Sequence, residues 1–162
     1  MKVVNLQIQI EEYDQISDLN ADDRLLLEKA WKACDSAYAP YSKFNVGAAV
    51  SLANGEIVSG NNQENAAYPS GLCAERVAMY YASAHYPGVA MKAIAVAVKS
   101  DEVPLDEPAS PCGSCRQVMA EYEYLYHTKL RIILGSPHTK IQILKGIGSL
   151  LPLTFYAEGL KK

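Results

Sequence analysis

A chain of 162 residues, 49% hydrophobic and 20% charged, can bury a core of its own as one ordered domain. A formal net charge of -3 without a dense Lys/Arg stripe argues against nucleic acid as a partner, since that binding runs on phosphate neutralisation. No apolar run approaches the roughly 20 residues of a membrane span, so no membrane partner is expected.

The opening Met1-Lys2-Val3-Val4-Asn5 turns polar too soon for an export signal. A cytoplasmic location follows as the expectation. In that reducing compartment the four cysteines read as thiols or metal ligands, not as disulfides. From Val4 to Glu11 apolar residues (Val4, Leu6, Ile8, Ile10) alternate with polar ones, which predicts a strand with one buried face. A first helix is expected from Asn20 as N-cap to about Tyr38, with Leu26, Ala30, Ala33 and Ala37 at helical spacing and Pro40 ending it. Phe44 to Leu52 and Glu56 to Ser59 read as a hairpin, Asn54-Gly55 supplying two positive-φ turn positions.

A second helix runs from about Leu72 to Tyr86 and stops at Pro87-Gly88. Met91 to Lys99 is a strand with two different faces, Ile94, Val96 and Val98 on one and Ala93, Ala95 and Ala97 on the other. The small face admits a helix at close range. Ser110 as N-cap and Pro111 at the first helical position predict a third helix. Strands at Leu130–Leu134 and Lys140–Leu144 follow, joined by a turn at Ser136-Pro137-His138-Thr139. No repeat or linker divides the chain. It reads as a single αβ sandwich.

Cys73-Ala74-Glu75 and Pro111-Cys112-Gly113-Ser114-Cys115 carry the chemistry. Each stands at a predicted helix start. Cys112 and Cys115, three apart, share a helical face and can grip one ion. Catalytic zinc takes three protein ligands and leaves the fourth position to water, so three thiolates suit an open site. Their charge leaves the ion at about -1, which two helix N-termini of roughly +0.5 each offset. Arg76 adds a positive charge beside the first thiol. Glu75 stands too near Cys73 to ligate the same ion and suits a proton carrier instead. Taken singly, each residue has a plainer reading: Cys73 as core, Cys112-x-x-Cys115 as half a structural zinc site or a dithiol redox pair, and Glu75 as a solvated helix residue. Their combination and order favour catalytic zinc. Cys34 lacks a partner at ligand spacing and reads as core, while His85, His127 and His138 read as surface residues.

The Cys-Ala-Glu followed by Pro-Cys-x-x-Cys resembles the signature of the zinc nucleoside deaminases. The finer pattern is similar to the small homotetrameric cytidine deaminases. Ala39-Pro40-Tyr41-Ser42-Lys43-Phe44-Asn45-Val46-Gly47-Ala48-Ala49 resembles that family's first strand and its approach, and Asn62-Gln63-Glu64-Asn65-Ala66 its ribose-reading segment. Arg116-Gln117-Val118 and Leu150-Leu151-Pro152 also match, so the likeness covers about Leu25 to Phe155.

The resemblance implies a three-layer αβα sandwich with a central mixed five-stranded sheet. Residues 21–162 would be the catalytic domain, and residues 1–20 an extension carrying an extra strand. It implies one zinc per subunit held by Cys73, Cys112 and Cys115, with Glu75 as general acid/base and Arg76 tuning a thiolate. Phe44 would stack on a nucleoside, Asn62 and Glu64 would bond the ribose hydroxyls, and the N–H of Ala74 would meet the base carbonyl. Phe155 would close the pocket of a neighbouring subunit in a homotetramer. The implied reaction is hydrolysis of cytidine and 2′-deoxycytidine to the uridines and ammonia, as in pyrimidine salvage. A deaminase of another aminated heterocycle such as blasticidin S is the nearest alternative. A structural zinc or dithiol redox protein, indifferent to Glu75, is the one outside that chemistry.

Overall fold

The two-faced strand read at residues 91–99 forms as β4 (Met91–Lys99) and becomes the keel of the molecule. In the computed structural model, which describes residues 1–100, 102, 105 and 107–156, Ile94 and Val96 join one buried cluster while Ala93, Ala95 and Ala97 join another. Around it lie β1 (Glu11–Tyr13), β2 (Asn45–Leu52), β3 (Ile57–Asn61), β5 (Arg131–Leu134) and β6 (Ile141–Lys145). The sheet order is β1-β6-β5-β4-β2-β3. Only the β4–β5 pair among these neighbours is parallel. Parallel neighbours need a crossover, and α3 (Gly113–Tyr126) lies in that connection.

Helix α1 (Ala21–Ala33) covers the alanine face of β4, where Leu26, Leu27 and Ala30 pack with Ala49, Ala95 and Ile133. Helix α2 (Ala74–His85) and α3 cover the other face, burying Ala78, Met79, Met119 and Ala120 against Val50, Ile94 and Ile132. The three-layer αβα sandwich is therefore present, with β1 as a sixth strand. Two glycines set how closely the layers approach. A Cβ on Gly47 of β2 would lie 2.0 Å from the carbonyl oxygen of Ala30, and one on Gly60 of β3 would lie 2.6 Å from the backbone nitrogen of Ala78. Both helices thus rest on the sheet backbone itself.

Several sequence expectations shift. The N-terminal strand covers residues 11–13, and residues 1–10 are exposed and belong to no strand. The register Glu11↔Ile143 explains the loss: β6 ends at Lys145, and Gly146 at φ 80 turns the chain away. Among the described residues no strand lies opposite residues 4–8. Helix α1 begins after Asn20 as expected, the Asn20 side chain accepting from Asp23 N–H, but it stops at Ala33 and tightens into a 3₁₀ turn at Cys34–Ser36. In the hairpin only Gly55 has positive φ (91°). Gly55 N–H bonds the carbonyl of Leu52, and Leu52 N–H that of Glu56, so a three-residue loop ending in a left-handed glycine replaces the two-residue turn. Finally, Cys112 rather than Ser110 is the N-cap of α3.

Candidate active site

Cys73 and Cys112 are the N-cap residues of α2 and α3, both with extended backbone (φ/ψ -72/152 and -66/166) and neither side chain capping a backbone N–H of its helix. That position normally goes to Ser, Thr, Asn or Asp, which cap the first N–H groups. Here the side chains turn to each other. The Sγ atoms of Cys73 and Cys112 are 3.8 Å apart and those of Cys112 and Cys115 3.5 Å apart. All three sulfurs lie within 4.8 Å of one another.

This trio is the one group of metal-competent side chains found among the described residues. The positive ends of two helices surround it. Three free thiols this close, with a guanidinium beside them, are a soft donor set of the kind zinc takes. The residues fit the ion.

Arg76 Nη2 donates to Cys73 Sγ at 3.6 Å, and its buried Nε has no hydrogen-bond partner among the described residues. Hydrogen bonding from Cys115, then from Arg76 and Cys112, outweighs burial and holds the Cys73 thiol down to about 5. The same Cys73–Cys115 bond, with burial, pushes Cys115 up. Glu75, in the first turn of α2, is buried; desolvation raises its pKa above the ordinary carboxylate value, and the Cys73 charge adds to the rise. A carboxyl in such a place can hold a proton as well as give one up.

The group opens into a cleft of about 710 Å³ whose lining includes Cys73, Glu75, Arg76 and Cys112 together with Phe44, Asn62 and Glu64. That is within the usual size range of small-molecule sites. Asn62 lies at the end of β3 with both ends of its amide engaged: Oδ1 accepts from Val46 N–H (2.8 Å) and Nδ2 donates to Phe44 C=O (2.9 Å). It therefore staples the start of β2. Glu64 accepts from Tyr41 N–H (2.9 Å), Ser42 N–H (3.3 Å) and the Ser42 hydroxyl. The Ser42 bond is the largest cause holding its carboxyl below the ordinary range.

Ala74, the first residue of α2, is buried between Cys73 and Glu75. Its N–H is among those a helix start leaves without an intrahelical acceptor. Phe155 does not line the cleft: its side chain is 68% exposed and its carbonyl accepts from Gln117 Nε2 (2.9 Å). Arg116 joins two segments that the sequence treats separately, donating to Pro111 C=O and Leu150 C=O at 2.8 Å each.

Sequence reasoning singled out neither Tyr68 nor Leu72, which line the cleft, because exposed loop residues carry no periodic signal. Cys34 is fully buried, its thiol 3.5 Å from Ala97 C=O, as a core residue should be. His85 stacks on Tyr81, and His138 meets the edge of Trp31. Neither is near the sulfurs' cleft. No described helix is long and apolar enough to cross a membrane.

Residues 20–127 match the family described as the cytidine and deoxycytidylate deaminase zinc-binding region. The chain is 39% identical over 139 residues to a cytidine deaminase of Halalkalibacterium halodurans, the match covering 86% of this chain and 98% of that one. It is 45% identical over 146 residues to a cytidine deaminase of Sporosarcina psychrophila, covering 86% and 95%. The crystal structure of the cytidine deaminase from Burkholderia pseudomallei superposes with a TM-score of 0.69 at 37% identity, covering 85% of this chain and 100% of that one. With the sulfur trio, the buried carboxyl and these likenesses together, the chain belongs to the zinc-binding cytidine and deoxycytidylate deaminase family.

Proposed function

We propose that this chain hydrolyses the 4-amino group of cytidine and 2′-deoxycytidine, consuming one water and releasing ammonia with the corresponding uridine nucleoside. The observation that carries the reading is the buried Glu75 carboxyl with three converging sulfurs at a nucleoside-sized cleft. Cys73, Cys112 and Cys115 would hold zinc, one ion per subunit. When bound, zinc supplies the Lewis acidity that makes water a nucleophile near neutral pH.

The remaining steps belong to the chain's own residues. Glu75 takes one proton of the attacking water and delivers it to ring N3, where it stays. It then takes the proton of the new C4 hydroxyl and hands it to the departing 4-amino nitrogen, so that the C4–N bond breaks, ammonia leaves and C4 ends as a carbonyl. One carboxyl thus serves both directions of transfer. The N–H of Ala74 orients the base carbonyl. Phe44 stacks on the base, and Asn62 and Glu64 bond the ribose hydroxyls, chiefly the 3′ one. Arg76 draws charge from the Cys73 thiolate, offsetting the electron donation of three soft ligands.

The exposed Phe155, absent from its own cleft, supports a role against a neighbouring subunit's cleft, and with it a homotetramer. The four free thiols among the described residues support a cytoplasmic setting.

The test is the fall in ultraviolet absorbance as cytidine becomes uridine, with and without a strong zinc chelator, alongside ammonia release from cytidine and from blasticidin S. Chelator-sensitive conversion of cytidine is expected. Turnover of blasticidin S alone, or a zinc-loaded protein inert toward both, ends this reading.

A further inference from the structure

Residues 3–10 form a run of Val3-Val4-Asn5-Leu6-Gln7-Ile8-Gln9-Ile10 without a charge, proline or glycine. Every residue from 1 to 10 is exposed, with Val4 at 70%, Leu6 at 64%, Ile8 at 52% and Ile10 at 48%. The run leads directly into β1, the outermost strand of the sheet, which pairs with β6 on one side only.

Its root is fixed. Glu11 is ion-paired to Arg131, and Arg131 in turn holds the buried Asp23 of α1 with contacts of 2.8 and 3.0 Å. Lys140 holds Glu12 at 2.7 Å. Exposed sheet edges are ordinarily blocked by lysine, proline or a bulge, because an open edge recruits another strand. This one carries no such block over eight residues.

We infer that residues 2–12 are a pairing arm, and that its partner is the same arm of a second copy of this chain, antiparallel about a two-fold axis at Gln7. The sequence is self-complementary in that register. Val4 faces the partner's Ile10 and Leu6 the partner's Ile8, which gathers four of the five apolar side chains of the run on one face, Val3 alone standing on the other, opposite the partner's Glu11. Asn5 faces the partner's Gln9 and Gln7 faces the partner's Gln7, placing amides on the other face. Lys2 stands opposite the partner's Glu12, an opposite-charge pair at each end. Slipping the register by one residue would set apolar side chains against amides. Slipping it by two in one direction would place Lys2 against the partner's Ile10 and lose both charge pairs; in the other it would set Val4 against the partner's Glu12. The free edge of β1 then receives the partner's first residues, and two six-stranded sheets join into one. Residues 1–10 lie outside the deaminase segment 20–127, so this contact is separate from any packing of catalytic domains.

Cross-linking tests the register. Facing residues of an antiparallel pair have Cα atoms about 4.5–5.5 Å apart, inside the roughly 4.4–6.8 Å span of a disulfide. Zinc-loaded Gln7→Cys protein under mild oxidation should become mostly covalent dimer on a non-reducing gel, while the parent does not. Asn5→Cys and Gln9→Cys proteins should cross-link poorly alone and readily when mixed. Adding Leu6→Lys with Ile8→Lys to the Gln7→Cys chain puts like charges directly opposite and should abolish the cross-link, with deaminase activity retained. A Gln7→Cys chain that stays monomeric on the gel, or cross-links no faster than Gln9→Cys alone, overturns the arm pairing. So does a cross-link that survives the double lysine change.

Discussion

Replacing Gly60 by alanine tests how the sheet positions the chemistry. The new Cβ would stand 2.6 Å from Ala78 N, 3.0 Å from Ala78 Cα and 3.0 Å from Ala74 C=O. All three atoms belong to the backbone of α2, so no side chain can swing aside. Restoring an ordinary contact of 3.4 Å from 2.6 Å requires α2 to move by about 0.8 Å. Overpacking of this kind costs about 1–3 kcal/mol, which for a chain of this size lowers Tm by roughly 2–12 °C. Cys73 and Glu75 flank Ala74 and must move with it. A displacement near 1 Å costs on the order of a hundredfold in rate when it misplaces reacting groups. The expected result is a folded protein with depressed Tm and kcat/KM down about tenfold to a hundredfold. Gly113→Ala is the control: it also lies at a site helix start, but its Cβ would meet nothing within 4 Å. That change should leave Tm equal or higher, since alanine is the better helix former by roughly 1 kcal/mol. If Gly60→Ala matches the parent in both Tm and turnover, close contact between β3 and α2 does not set the site.

Glu75→Gln should keep its zinc by metal analysis yet lose about 10⁴-fold or more in kcat, the upper end for one acid/base group; near-parental turnover would remove Glu75 from the proton path. Cys112→Ala should lose the metal and some local order together, seen as absent zinc and a lower Tm. Arg76→Ala should retain zinc but turn over more slowly, and full activity would show that the guanidinium does not tune the thiolate. Burial pushes the Cys34 thiol up to about 11 from an ordinary 9.0. The folded chain therefore keeps that proton longer than the unfolded one. Its contribution is intact below about pH 9 and is lost as pH rises toward about 11, amounting to about 3 kcal/mol at most. Unfolding curves of parent and Cys34→Ala should converge over that window; parallel curves would contradict it.

The sulfur trio was legible because its signals are local: cysteines at two helix starts, one pair of them three apart and the other followed two residues on by a glutamate. The sandwich was legible because β4 writes both of its faces into one alternation, large at Ile94 and Val96, small at Ala93, Ala95 and Ala97. Capping propensity failed where function competes with it. Ser110 and Pro111 are good starting residues, yet α3 starts from Cys112, a poor cap whose sulfur is needed elsewhere. The alternation at residues 4–10 announces a strand but not its partner, and β6 ends too early to provide one. The Asn62 staple and the Ser42–Glu64 contact are loop bonds between segments about twenty residues apart, for which no periodicity exists.

The helix-borne and loop-borne residues at the cleft are held by different means, and this bears on how the site can change. Cys73, Glu75, Cys112 and Cys115 stand on helices; α2 presses backbone to backbone on β3, and α3 is tied through Arg116 to Leu150. Small errors there are not absorbed. Phe44 and Glu64 stand on loops fixed by a few polar bonds, with Ser42 linking them: its hydroxyl donates to Glu64 and accepts from Phe44 N–H at 3.1 Å. Each such bond is worth only about 0.5–1.5 kcal/mol, so the loop-borne part of the lining can rearrange while the helix-borne part stays put. Ser42→Ala should therefore raise KM by about tenfold and leave kcat nearly unchanged. An equal fall in kcat would mean the two parts of the lining are mechanically one.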